Sequence, residues 1–328
     1  MDPGAGLTAQ AITMRAARYA APGAASEVIS LIETDAPTPG TGEILVRVAA
    51  VGLNPVDVKI RAAGHDFGSI RYSDRPGWDV AGTVVGVGPD ATGWSEGAAV
   101  FALARFPDAA HTLADLVAVP VADVAAAPRA WSLAQAGAAP LAALTARQAL
   151  DAAGVGADSD ARVLVLGGAG GVGHLAVQLA AARGAHVIAT ASPEKQPLVA
   201  SWGAVDVIDY RDGDALAAIA PVDAVIVTVS DGLPPRGAIR EGTAVVTITG
   251  YSAEQEAELG DWGAAPIRRI LVAANGAHLA EIAALADAGR ITVHLDAAYD
   301  LSDLAAAQER VETGRVTGKV VVLVEPQD

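Results

Sequence analysis

The segment that most constrains the fold is Gly168-x-Gly170-x-x-Gly173, within the run Gly167-Gly168-Ala169-Gly170-Gly171-Val172-Gly173. It follows the apolar strand-like stretch Arg162–Leu166 and opens a helical stretch from Val172 to Arg183. Glycines at this spacing permit a tight strand-to-helix turn and close packing of the helix on its strand. They also let a pyrophosphate approach the backbone, where the helix N-terminus offers unpaired N–H groups. The alternative is a glycine-rich turn without a ligand. Beyond it, strand-like and helix-like stretches alternate: His186–Thr190, a helix over Glu194–Trp202, Val205–Ile208, then strands Ala224–Val229, Thr243–Thr249 and Ile267–Val272. That rhythm predicts an α/β fold with a doubly wound parallel sheet.

Either side of this region the pattern differs. Residues 14–130 read as short strands, such as Ile44–Val48 and Val80–Gly88, broken at Pro37-Thr38-Pro39-Gly40 and Pro76-Gly77. A single helix is predicted over Leu133–Ala152, and the end carries an amphipathic helix, Leu301–Glu312, and a strand, Lys319–Val324. The 328 residues are enough for two domains. Residues 1–13 read as an N-terminal extension without the basic and apolar regions of a secretory signal.

The charge of −16 argues against nucleic acid as a partner, because phosphates would be repelled. No apolar run is long enough to span a membrane, so the expectation is a cytoplasmic protein without a membrane partner. There is no cysteine, which excludes disulfides, thiolate nucleophiles and every cysteine-held metal site. The six histidines, His65, His111, His174, His186, His278 and His294, show no ligand spacing, and no metal is expected.

The second strand of the parallel region identifies the dinucleotide. A site for NAD places an Asp or Glu about 20 residues after the first glycine. Here the strand ends Ala189-Thr190-Ala191-Ser192 without an acid, Lys195 follows, and Tyr210-Arg211 closes the third strand. Hydroxyls and positive charge are what a 2′-phosphate needs, so the cofactor expected is NADPH. Lys195 as a plain solvated residue is the competing reading.

Five further segments carry a resemblance: Gly52-Leu53-Asn54-Pro55-Val56-Asp57-Val58-Lys59, Pro76-Gly77-Trp78-Asp79-Val80-Ala81-Gly82, Pro140–Ala146, Gly203–Arg211 and Thr317-Gly318-Lys319-Val320-Val321. Together with the glycine turn, they resemble the zinc-independent medium-chain dehydrogenases/reductases, in the quinone oxidoreductase and enone (alkenal/one) reductase branch. The resemblance spans nearly the whole chain after Met14. It implies a GroES-like β-rich catalytic domain (14–135 and 295–328) with a Rossmann NADPH-binding domain (136–294) inserted, and a homodimer. Zinc-dependent relatives place cysteine at Asn54 and histidine at Trp78, so the catalytic zinc has lost its ligands here.

Without metal, the chemistry must be mild. Hydride addition to an enone or quinone spreads negative charge into an enolate or phenolate, which modest hydrogen bonding stabilises. The resemblance puts Asn54 beside the nicotinamide and the substrate carbonyl, with Lys59 as a donor to the forming enolate or else a solvated strand-edge residue. Asp57 is read as support for the turn. Tyr72 and Tyr251 are candidate proton donors, with bulk water as the alternative. Expected cofactor contacts are Asn54, Thr145, Gly168, Gly170, Gly171, Val172, Gly173, Ser192, Lys195, Tyr210, Ser230, Gly250, Tyr251 and Lys319. His65, Phe67 and Tyr251 are expected to line the substrate pocket, and Trp78 to pack in the core or line that pocket. The resulting expectation is an NADPH-dependent reductase of an enone, enoyl group or quinone. A biosynthetic tailoring reductase or cyclase, and a low-turnover NADPH-binding sensor or structural protein, remain open.

Overall fold

A computed structural model describes residues 13–230 and 232–325. The N-terminal extension therefore lies outside the described residues except for Thr13, as do positions 326–328. The chain opens with β1 (Thr13–Tyr19), α1 (Ala25–Val28), β2 (Ile29–Asp35), β3 (Glu43–Leu53), α2 (Pro55–Ala63) and β4 (Asp79–Val87). Next come β5 (Ala99–Leu103), β6 (Leu116–Pro120), β7 (Val124–Ala126), α3 (Leu133–Ala138) and α4 (Pro140–Ala152). The alternating region is β8 (Arg162–Leu166), α5 (Gly173–Ala182), β9 (His186–Thr190), α6 (Gln196–Ser201), β10 (Ala204–Ile208), α7 (Gly213–Ala217) and β11 (Ala224–Val227). It continues with β12 (Thr243–Thr247), α8 (Ala253–Asp261), β13 (Ala264–Arg269) and α9 (Gly276–Asp287), and the chain closes with β14 (Leu295–Asp300), α10 (Leu304–Glu312) and β15 (Lys319–Leu323).

The alternating strands form a six-stranded parallel sheet in the order β10-β9-β8-β11-β12-β13. Numbered from its first strand this is 3-2-1-4-5-6, the doubly wound Rossmann order, in which the order of strands reverses beside β8. Val163, Leu164 and Val165 of β8 are fully buried, as are Val225, Ile226 and Val227 of β11. Each such side chain contributes ~1.5–3 kcal/mol from burial. The remaining strands form a seven-stranded sheet, β14-β15-β3-β4-β5-β7 with β6 also on β3, and a separate antiparallel pair, β1-β2. β15 returns from the far end of the chain to pair antiparallel with β3, setting Val320 opposite Leu53. That pairing carries the last segment of the chain to the start of α2.

Several boundaries differ from the sequence expectation, each for a local reason. The helix predicted over 133–152 is two helices, because Pro140 has no N–H to continue the ladder and instead starts α4. Ser132 starts α3 by accepting from the Gln135 amide, and Gln135 answers the Ser132 amide. The helix expected from Glu194 begins as a 3-10 turn, Pro193–Lys195. The last parallel strand lies at Ala264–Arg269 rather than Ile267–Val272. Lys59 is on helix α2, not at a strand edge.

Candidate functional site

The glycine turn connects β8 to α5 at the sheet's switch point. A Cβ on Gly173 would lie 2.0 Å from the Gly167 carbonyl oxygen, so no larger residue fits there. The Gly168 amide donates to the Thr190 carbonyl and the Gly167 amide to the Thr190 hydroxyl, both at 2.9 Å, tying the turn to β9. The Gly170 amide donates back to Gly167 at 3.0 Å. The Gly171 and Val172 amides have no protein acceptor among the described residues. Two free N–H groups at the start of a ten-residue helix make a cradle for a phosphate. His174 lies beneath them, fully buried, its Nδ1 3.0 Å from the Gly170 carbonyl and its ring 5.4 Å from that of Trp202.

The end of the chain meets this turn. The Gly318 amide donates to the Ala169 carbonyl at 2.9 Å, and Lys319 follows at the start of β15. Lys319 is 3 % exposed. Its ammonium donates to the Leu53 carbonyl at 2.8 Å and to the side-chain oxygen of Asn54, and it lies 3.7 Å from Asp79. The Asn54 amide nitrogen donates to Asp79 Oδ2 at 2.9 Å and faces the Gly52 carbonyl at 3.4 Å. Asp79 is completely buried, and its other oxygen accepts from the Leu141 amide in the first turn of α4 at 2.7 Å. Asp57 accepts from the Asn54 backbone amide at 2.8 Å, which caps α2, while its Oδ1 is buried without a partner. Burial pushes the Asp57 carboxyl up to about 7 and the Asp79 carboxyl up to about 6, with Lys319 opposing the shift in both. Burial also lowers the Lys319 ammonium below its ordinary value, opposed by Asp79 and Asp57.

Hydrogen bonds to the protein fix the direction of the Asn54 side chain. Both amide N–H groups point at protein acceptors and the residue is buried, so it does not present a donor to a substrate carbonyl. It links Lys319 to Asp79 instead. Sequence reasoning placed Asp79 within a motif but gave it no role. An acid heading an otherwise apolar strand was the available signal, since a buried carboxylate needs partners.

The other expected residues separate into groups. Lys59, exposed, has its ammonium 6.0 Å from the centre of the exposed Phe67 ring. Asp66 joins the neighbouring loop positions, accepting from the Tyr72 amide at 2.8 Å, with the His65 ring against its carbonyl at 2.7 Å. Thr145, buried in α4, turns its hydroxyl back onto the Leu141 carbonyl at 2.6 Å. Trp78 packs in the core and donates to the Asp108 carbonyl at 2.8 Å. Gly250 follows β12 against the Arg269 side chain, and Ser230 is exposed after β11. Tyr251 packs against the buried cluster of the parallel sheet, and its hydroxyl donates to the Gly232 carbonyl at 3.1 Å. Burial raises its pKa well above the ordinary tyrosine value, so it is a poor proton donor.

At the ends of β9 and β10 lie Ser192, Lys195 and the exposed Tyr210. The Lys195 ammonium donates to the Arg315 carbonyl at 3.1 Å, and Arg211 pairs with Asp209 at 3.0 Å. β9 itself ends without an acid, but Glu194 lies two residues beyond Ser192. The 3-10 turn folds Glu194 back so that its carboxylate accepts from the Ser192 hydroxyl, which holds that carboxyl below its usual range.

Comparison with known proteins follows the same two-part division. Residues 40–129 match the alcohol dehydrogenase GroES-like domain, and residues 202–322 match the zinc-binding dehydrogenase family. The 2-methylene-furan-3-one reductase of Solanum lycopersicum is 34 % identical over 289 residues, covering 85 % of this chain and 71 % of that protein. The NADPH-dependent alkenal/one oxidoreductase of Arabidopsis thaliana chloroplasts is 33 % identical over 293 residues, covering 87 % and 72 %. The solved quinone oxidoreductase of Coxiella burnetii superposes with a TM-score of 0.83 at 30 % identity, covering 96 % of this chain and all of that one. With the Rossmann strand order and the sequence motifs on both sides of it, these matches show that the chain belongs to the medium-chain dehydrogenase/reductase superfamily of oxidoreductases, in its quinone oxidoreductase and alkenal/one oxidoreductase branch.

Proposed function

We propose that the chain is an NADPH-dependent reductase of α,β-unsaturated carbonyls or quinones that works without zinc. The observation that carries this reading is the contact of the glycine turn with the Gly318-Lys319 segment, beside the buried Asn54–Asp79 pair. A phosphate cradle and a buried ammonium meet where the two sheets adjoin, and the sequence motifs of both match an oxidoreductase family. The reading takes residues 14–135 with 295–328 as the catalytic domain and 136–294 as the cofactor domain, in a cytoplasmic homodimer.

The residues present fit a dinucleotide. The free Gly171 and Val172 amides would hold the pyrophosphate, and Ser192, Lys195 and Tyr210 the 2′-phosphate. NADPH, when bound, supplies the hydride. What the chain's own residues would handle is the negative charge left on the enolate or phenolate oxygen and the proton that completes the reduction. In this reading Lys59, whose exposed ammonium stands 6.0 Å from the Phe67 ring, would stabilise the enolate oxygen beside a substrate pocket lined by His65 and Phe67. Tyr72 or solvent supplies the proton. A zinc ion does not fit. The sequence has no cysteine, Trp78 is core, and among the described residues no three His, Asp or Glu side chains converge.

The test is oxidation of NADPH and NADH by the purified protein with a panel of short enones, alkenals and quinones. Consumption of NADPH in preference to NADH, with reduction of the C=C bond or quinone, is expected. Tight NADPH binding without turnover on any member would overturn the enzymatic reading.

A further inference from the structure

We propose that Asp79 is a positioning residue for the cofactor. Its buried carboxylate fixes the Asn54 amide and the Lys319 ammonium against the glycine turn. The inference rests on the dinucleotide reading above and adds a residue to it.

Asp79 touches three separate parts of the chain. From the head of β4, one oxygen receives the Leu141 amide of α4 at 2.7 Å and the other receives Asn54 Nδ2 at 2.9 Å. The same second oxygen lies 3.7 Å from Lys319 Nζ. Because Asp79 accepts from the Asn54 nitrogen, the Asn54 oxygen must face the other way, and there it accepts from Lys319. An ammonium has three protons. Two go to the Leu53 carbonyl and Asn54, and among the described residues no oxygen nearer than Asp79 takes the third. The aliphatic part of Lys319 lies 3.4 Å from where a Gly171 Cβ would be, so the side chain runs along the phosphate cradle. A lysine this buried keeps its charge and its direction only while a fixed anion faces it. Asp79 is that anion. It touches neither cofactor nor substrate, and acts through its two neighbours.

A purely structural role for Asp79 makes a different prediction from a positioning one. Asp79→Asn keeps size and removes charge; Lys319→Met removes the ammonium. NADPH affinity of each variant, measured by quenching of protein fluorescence, is expected to fall about tenfold or more, as for one broken member of a buried pair. The double variant is expected to bind no more than about threefold more weakly than Lys319→Met and to melt above Asp79→Asn, because neither charge is then left alone. Losses that multiply, or an Asp79→Asn protein that binds like wild type, would overturn the proposal.

Two further readouts keep the test open if Asp79→Asn folds poorly. The first is the melting rescue in the double variant, which needs no cofactor; its absence counts against the pair. The second is the pH profile of NADPH affinity. The groups facing Lys319 are Asp79, Asp57, His174 and His294, and of these Asp79 contributes most to holding its proton. Removing that charge is expected to bring the alkaline loss of affinity to lower pH; an unmoved profile would contradict the inference. If wild type binds neither NADPH nor NADH, the dinucleotide reading fails, while the melting rescue still reports the Asp79–Lys319 coupling.

Discussion

The Gly318 amide donates to the Ala169 carbonyl at 2.9 Å, so the approach to the last strand is hydrogen-bonded directly to the glycine turn. Positions 149 residues apart in sequence thereby share one backbone contact. The contact joins the two sheets at the point where Lys319 enters the cluster of Asn54 and Asp79, so on the proposed reading cofactor binding and the fold of the junction depend on the same few atoms.

The first prediction follows from that contact. Gly318 has φ +66°, and a Cβ there would lie 2.2 Å from the His294 carbonyl oxygen. Gly318→Ala must therefore shift the backbone that makes the Ala169 contact. A loss of ~1–3 kcal/mol in stability is expected, with weaker NADPH binding. Thermal melting and fluorescence titration check both, and a variant that melts and binds like wild type would show that the junction is more pliable than described.

A second prediction concerns the choice of dinucleotide. Lys195→Ala should raise the KM for NADPH much more than that for NADH, since only NADPH carries the 2′-phosphate. Equal effects would remove Lys195 from the phosphate site. Glu194 acts in the opposite direction. Its carboxylate occupies the Ser192 hydroxyl and would repel a phosphate there. Glu194→Gln is expected to lower the KM for NADPH several-fold and leave that for NADH nearly unchanged, in steady-state kinetics at fixed ionic strength.

How much of this was readable in advance depended on the distance over which each feature is set. The parallel sheet was legible because its strands are buried on both faces, and runs such as Arg162–Leu166 show that directly. The glycine turn was legible because its constraints are local. Asn54 and Lys319 were each singled out by motif, but the hydrogen bond between them spans 265 residues and depends on β15 pairing with β3. No periodicity reports that. The direction of the Asn54 amide was hidden for the same reason, since it is fixed by Asp79, which is itself fixed by Leu141 of α4. Glu194 was missed at short range. A proline-led 3-10 turn, rather than the helix assumed, brings its carboxylate back by two residues.

A third prediction tests Lys59. Its ammonium is exposed and stands over the Phe67 ring, outside the buried cluster. If it stabilises the enolate, Lys59→Ala should lower turnover on enones by roughly one to three orders of magnitude and leave NADPH affinity and melting unchanged. An unchanged rate would make it a surface residue. Tyr72→Phe, measured alongside, separates a tyrosine proton donor from water. A loss of turnover assigns the proton to Tyr72, and wild-type turnover assigns it to solvent.

The last prediction concerns pH and stability, where buried groups pull in opposite directions. Burial lowers His174 to about 4, and burial with the nearby Arg75 lowers His111 to about 4. Both histidines are depressed below the unfolded value of ~6.5, so the stability they contribute is complete above that pH and is lost as pH falls towards 4. Asp57, raised by burial to about 7, behaves in the reverse sense. Its contribution is complete below an unfolded value of ~3.9 and is lost as pH rises through 7. Each group adds a slope of at most ~1.4 kcal/mol per pH unit within its own window. Between pH 4 and 7 these slopes oppose each other, so a shallow wild-type profile is expected. His174→Asn retains a donor for the Gly170 carbonyl and should gain stability relative to wild type as pH falls from 7 to 4.5. Asp57→Asn should gain relative to wild type as pH rises from 5 to 8. Chemical denaturation across this range reads both slopes. Parallel profiles for wild type and either variant would show that the substituted group carries its ordinary charge in the folded protein.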